Sequence, residues 1–174
     1  MPYVDFMKIA KASLLPIVVG LLLVGIYLVL QAVPIFVSDS STVDTLSTIS
    51  MVYTYLMIPL YILVYFWAGM RAVKKFGLDA IGAGLTSAFA FLVTGLANVA
   101  LGVLLNLIVL AQVIKDIDFR SPESVLAASI LGDLEGRSGV AVTAICGVAL
   151  IVVGALLNFV IGGLGGIKVL SRKR

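Results

Sequence analysis

The chain has 174 residues, 61% hydrophobic and only 12% charged, with a mean hydropathy of +1.20. Soluble domains carry about 25% charged residues, so half that share, gathered between long apolar runs, excludes an ordinary water-soluble globule. The net charge of +3 comes from basic residues beside those runs. It reads as membrane topology and argues against a nucleic-acid partner.

A bilayer core asks for roughly 20 apolar residues per helix, and four stretches meet that demand: about 14–37, 50–70, 80–114 and 140–170. Membrane strands would alternate apolar and polar residues, and none of these stretches does. The sequence predicts an all-α integral membrane protein, a single domain over 1–174 with four helices in an up-down bundle. The first run follows Lys8 and Lys11 as a cleaved signal would. It is longer than a usual signal core and lacks a small-x-small site, so it is expected to stay as a helix. Pro16 and Pro34 fall near its expected ends.

The segment "SDSSTVDTLSTIS" reads as a loop before the second span. Pro59 lies near the middle of that span and predicts a kink. Tyr53 and Tyr55 at one end, and Tyr65, Phe66 and Trp67 at the other, read as interfacial anchors. Between the third and fourth spans lies "KDIDFRSPESVLAASILGDLEGRSG". Its Ser121-Pro122-Glu123 is a good helix start, and a short amphipathic outer helix is predicted there. The five acids Asp116, Asp118, Glu123, Asp133 and Glu135 match no calcium-loop spacing. They read as a solvated loop, so no metal is expected.

Lys8 and Lys11, then Arg71, Lys74 and Lys75, then Lys168, Arg172, Lys173 and Arg174 make nine of the twelve basic residues. All fall on one side of the predicted topology. Positive charge stays inside, so the protein is placed in the cell membrane with both termini cytoplasmic.

Absences limit the chemistry. There is no histidine, and the one cysteine, Cys146, is expected to be an inert packing residue within the fourth span. No nucleotide-binding loop, nucleophile elbow or zinc-protease motif occurs. No charged residue lies inside a span away from its ends, which disfavours ion-coupled transport. The sequence therefore predicts a non-enzyme without a cofactor.

What remains is a pair of matching segments, "GLANVALGVLLN" at 95–106 and "GVALIVVGALLN" at 147–158. A shift of 52 aligns Gly84, Gly95, Gly102 and Asn106 with Gly136, Gly147, Gly154 and Asn158, the pattern G-x10-G-x6-G-x3-N. Seven residues are nearly two helical turns and drift only about 20°. Gly84, Gly95, Gly102 and Asn106 thus share one stripe, and Gly147, Gly154 and Asn158 another, with Gly165 continuing it. Small residues let membrane helices approach closely, and amides cross-link them. The stripes are predicted helix-packing surfaces that meet antiparallel within the chain or on a neighbouring copy. Gln31, Asn98, Gln112 and Thr143, with the two asparagines, are candidates to line a polar path.

The expected role is structural, in assembly or interaction, with the lipid bilayer and a second copy or another membrane protein as partners. The alternative is a homo-oligomeric channel or uncoupled transporter for a small neutral solute or lipid. The glycine-rich "IGGLGGIKVL" at the end of the fourth span reads as too flexible for a pore wall.

Overall fold

In hydrocarbon each backbone N–H and C=O must find its partner within the protein, and a helix achieves this segment by segment. The computed structural model describes residues 5–36, 40–116 and 139–172. It contains four long helices packed as a bundle: α1 (Phe6–Phe36), α2 (Ser40–Phe76), α3 (Ala80–Asp116) and α4 (Gly139–Ser171). Each holds a stretch long and apolar enough to cross a membrane: Phe6–Val33, Ser41–Phe76, Ala80–Ile108 and Ile145–Ser171. The predicted outer helix of the third loop lies outside the described residues.

The distribution of residues is the reverse of a soluble protein's. Many of the buried positions are small or hydroxylic, among them Ala68, Ala83 and Ala90 with Ser13, Ser87, Thr86 and Thr94, beside a few larger residues such as Tyr65 and Ile151. Leu22, Leu63, Leu150 and Leu156 are all more than 60% exposed. Water would penalise such a surface, at about 25 cal/mol for each Å² of apolar area, whereas lipid tails do not. This is a multi-span helical membrane protein.

α3 and α4 form the most extensive helix pair. α1 packs on α2 and α3, and so does α4, which leaves α1 and α4 at opposite corners. Ala12 of α1, Ala72 and Val73 of α2, Ala83 of α3 and Val169 of α4 share one apolar cluster. The start of α1, the α2–α3 link and the end of α4 therefore lie together, at what we call the terminal end of the bundle. The opposite side is the far end.

The α2–α3 link is short because both its helices are capped within it. Gly77 adopts φ 65°, the left-handed value that ends a helix without a Cβ penalty. Its N–H bonds the Val73 carbonyl at 3.2 Å and that of Leu78 bonds the Ala72 carbonyl at 3.3 Å. Asp79 then accepts the Gly82 N–H on Oδ1 at 2.7 Å, as an N-cap residue does.

Several expectations need correction. α2 starts at Ser40, so most of "SDSSTVDTLSTIS" is helix rather than loop. Its hydroxyls bond their own helix: Thr45 to Ser41 O and Thr48 to Asp44 O at 2.9 Å, and Ser47 to Asp44 O at 3.0 Å. A run that reads as polar thus hides its donors against the backbone. Consequently Tyr53 is well inside α2, where its hydroxyl donates to the Leu23 carbonyl of α1 at 3.0 Å. It is a cross-link, not an end anchor. Pro16 lies within α1, fully buried, rather than at its start. Cys146 is exposed on α4, so it faces outward instead of packing.

Candidate functional site

Two features build the interior: the α3–α4 seam, and a hydroxyl-rich junction nearer the terminal end. Along the seam, bulky side chains of one helix occupy the gaps left by glycines of the other. A Cβ added at Gly95 would lie 3.0 Å from Ile151 Cγ1, and one at Gly147 would lie 2.6 Å from Val99 Cγ2. The shift of 52 that pairs Gly95 with Gly147 also pairs Val99 with Ile151. These two contacts are therefore one arrangement used twice, related by a local twofold axis across the antiparallel seam. Towards the terminal end Gly154 accommodates the Phe91 ring, and a Cβ at Gly84 would come 2.7 Å from the Phe159 carbonyl oxygen. Glycine does not face glycine along this seam.

At the junction all four helices meet around Tyr65, whose side chain is fully buried. Its hydroxyl and Thr94 Oγ1 are 2.7 Å apart, and its ring meets Phe91 edge-on at 5.5 Å. Ser87 Oγ donates to the Tyr65 carbonyl at 2.8 Å. Gly20 of α1 leaves room for Thr94, Gly162 of α4 for Ser87, and Gly69 of α2 lies against the Gly162 carbonyl. Gly165, expected to extend the α4 stripe towards α3, instead covers the Phe66 carbonyl of α2. The "IGGLGG" segment is thus a close backbone contact, with Gly162, Gly165 and Gly166 all buried, not a flexible end. Interhelical hydrogen bonds of this kind contribute about 0.6–2 kcal/mol each.

The junction was missed in the sequence although it left a trace there. Ser87 and Thr94 are seven residues apart, the interval that drew attention to the glycines. Tyr61 and Tyr65 stand four apart and stack at 5.9 Å.

The remaining predicted residues separate into distinct environments. Asn158 is buried, but its Nδ2 donates to the Gly154 carbonyl of its own helix at 2.8 Å, so it does not cross to α3. Gln31 Nε2 donates to Ser50 Oγ at 3.1 Å, which ties α1 to α2. Gln112 and Thr143 belong to α3 and α4, but their side chains lie outside the described residues. Gly102 has nothing within 4 Å of where its Cβ would be. Asn98 and Asn106 are exposed, and neither has a hydrogen-bond partner among the described residues.

Asn98 also borders a cleft of about 190 Å³ between α2, α3 and α4, shared with Tyr61, Thr94, Gly95, Gly147 and Leu150. Its wall is mainly apolar, with the Asn98 amide and the Tyr61 hydroxyl as polar groups. The mouth opens on the lipid side, where Leu150 is 69% exposed. Among the described residues, no three or more His, Cys, Asp or Glu side chains group where they could hold a metal. Comparison with known proteins yields no match to a family model, a curated protein or a solved structure.

Proposed function

We propose that the protein is a membrane assembly module without catalytic activity, whose outward contact is the far-end half of α3. The observation that supports this most directly is the state of Asn98, Gly102 and Asn106. Two amides stand exposed and, among the described residues, unpaired in an apolar span, with an open glycine between them. An amide in hydrocarbon without a partner is unfavourable, and the open glycine leaves space for a second helix. The occupant that fits is a helix of another copy or of another membrane protein, offering carbonyls or amides to the two asparagines. The basic residues gathered at the terminal end favour a cytoplasmic position for that end by the positive-inside tendency, and on that reading the contact falls in the outer half of the bilayer.

The test uses Gly102→Leu and Asn106→Leu, both outside the monomer's own packing. Intact-mass measurement in mild detergent is expected to show an assembly for the wild type. It should show single chains for the variants, at unchanged melting temperature. If the variants assemble like the wild type, or if the wild type is monomeric and retains no membrane partner, the proposal fails.

A second reading, an uncoupled path or binding place for a small neutral solute or lipid, draws support from the cleft at Asn98 and Tyr61. Liposome leakage of a neutral solute that Asn98→Leu abolishes would favour it over assembly.

A further inference from the structure

Arg71 stands near the terminal end of α2, half-buried. Its guanidinium carbon lies 5.8 Å from the ring centroids of both Trp67 and Phe76. Nε and Nη1 are shielded from solvent and have no hydrogen-bond partner among the described residues. Ring faces attract a guanidinium but accept no directed hydrogen bond in place of an oxygen. Buried charged donors without acceptors are costly, so the group is set up for an anion that the described residues do not supply.

The surrounding charges sharpen this. Two carboxylates near this end of the bundle are already engaged. Asp5 pairs with Lys8 at 3.1 Å, and Asp79 caps α3. Lys74 and Lys75 are exposed one turn further along α2, and Lys168 lies over the Phe66 ring at 5.5 Å. The local field is positive, and the group with unmet donors is an arginine, whose planar fork matches phosphate oxygens in pairs. Trp67 is 38% exposed, as a tryptophan at a membrane interface is, and Arg71 stands one turn nearer the end of α2.

We propose that Arg71 anchors a phosphate-binding site at the terminal end of α2, between Trp67 and Phe76. The phosphate is that of an anionic lipid headgroup or a free phosphoryl group. On binding, the guanidinium turns out from between the rings and presents its fork to two phosphate oxygens, while Lys74 and Lys75 add attraction without direction. The site is independent of the assembly contact, which lies on the far-end half of α3.

Trp67 is the sole tryptophan, so its fluorescence reports the ring that Arg71 leaves. Purified full-length protein in a phosphate-free maltoside detergent would be titrated separately with phosphatidylglycerol, uncharged diacylglycerol and inorganic phosphate. The expected result is a saturable change in Trp67 emission with phosphatidylglycerol and none with diacylglycerol. A matching response to inorganic phosphate identifies a free phosphoryl ligand, and its absence identifies a lipid one. Arg71→Gln should raise the half-saturating concentration by about tenfold or more, since a charge-assisted fork is lost. Arg71→Lys keeps the charge and stem, which secures the test if the glutamine variant folds poorly, and it should also bind more weakly. The proposal is overturned if no titrant gives a saturable change or if Arg71→Lys binds like the wild type. It also fails if Lys74→Gln with Lys75→Gln removes the response while Arg71→Lys keeps it.

Discussion

The terminal-end half of the bundle and the far-end half of α3 use the same residue types to opposite ends. Towards the terminal end, glycines are filled: Gly69 lies against the Gly162 backbone, and Gly84 and Gly154 lie against Phe159 and Phe91. The hydroxyls of Ser87, Thr94 and Tyr65 all have partners there. Towards the far end of α3, Gly102 is open and Asn98 and Asn106 have no hydrogen-bond partner among the described residues. A glycine in a membrane helix is therefore not by itself a packing residue. What decides is whether the neighbouring helix brings a side chain or carbonyl to that height.

The largest break in this contrast should come at the filled glycines. Gly69→Ala would drive a Cβ into the Gly162 carbonyl, and Gly162→Ala would drive one into Ser87 and the Ala83 carbonyl. Backbone atoms cannot yield as a flexible side chain can, so each change should destabilise by about 1–3 kcal/mol, seen as a lower melting temperature in detergent. Tyr65→Phe comes next, at about 0.6–2 kcal/mol, because Thr94 keeps its bond to the Ala90 carbonyl. A double-mutant cycle with Thr94→Val should show the two changes to be less than additive.

Gly102→Ala should leave monomer stability unchanged or raise it by up to about 1 kcal/mol through helix propensity. A loss as large as that of Gly69→Ala would erase the distinction between the two halves.

The smallest effect is expected at Asp5, which caps α1. The Lys8 backbone N–H and then its side chain bond the Asp5 carboxyl and hold it below its ordinary pKa. A depressed folded pKa means the contribution is present above the unfolded value of about 3.9. It is lost as the pH falls through the folded one. Asp5→Asn should therefore remove a slight acid dependence of α1 fraying, measured by hydrogen exchange of the first turn.

The four helices were legible because an apolar run of sufficient length has few other destinations in a bilayer. The extent of α2 was not, because serine and threonine are loop-like in composition yet back-bond within a helix, as Thr45, Ser47 and Thr48 do. The repeat of Gly95 and Gly147 was visible in the sequence. Its meaning was less so, because the bulky residues that fill the gaps, Val99 and Ile151, are ordinary in a membrane helix. The amide of Asn158 was visible too, but nothing in one sequence distinguishes a bond to its own helix from one across the seam. Tyr65, which bonds α3 and lies beside Gly20 of α1, looked like one of three adjacent aromatics at an interface.

The short turn at Gly77 has a consequence for how the protein is made. The bonds from Ser87 to the Tyr65 carbonyl and between Tyr65 and Thr94 both lie within the α2–α3 hairpin. That hairpin can leave the insertion machinery with these hydroxyls already satisfied, before α4 has been synthesised. α4 follows α3 in the chain, and its Gly162 is the surface that fits against Ser87 and Gly69 of that hairpin.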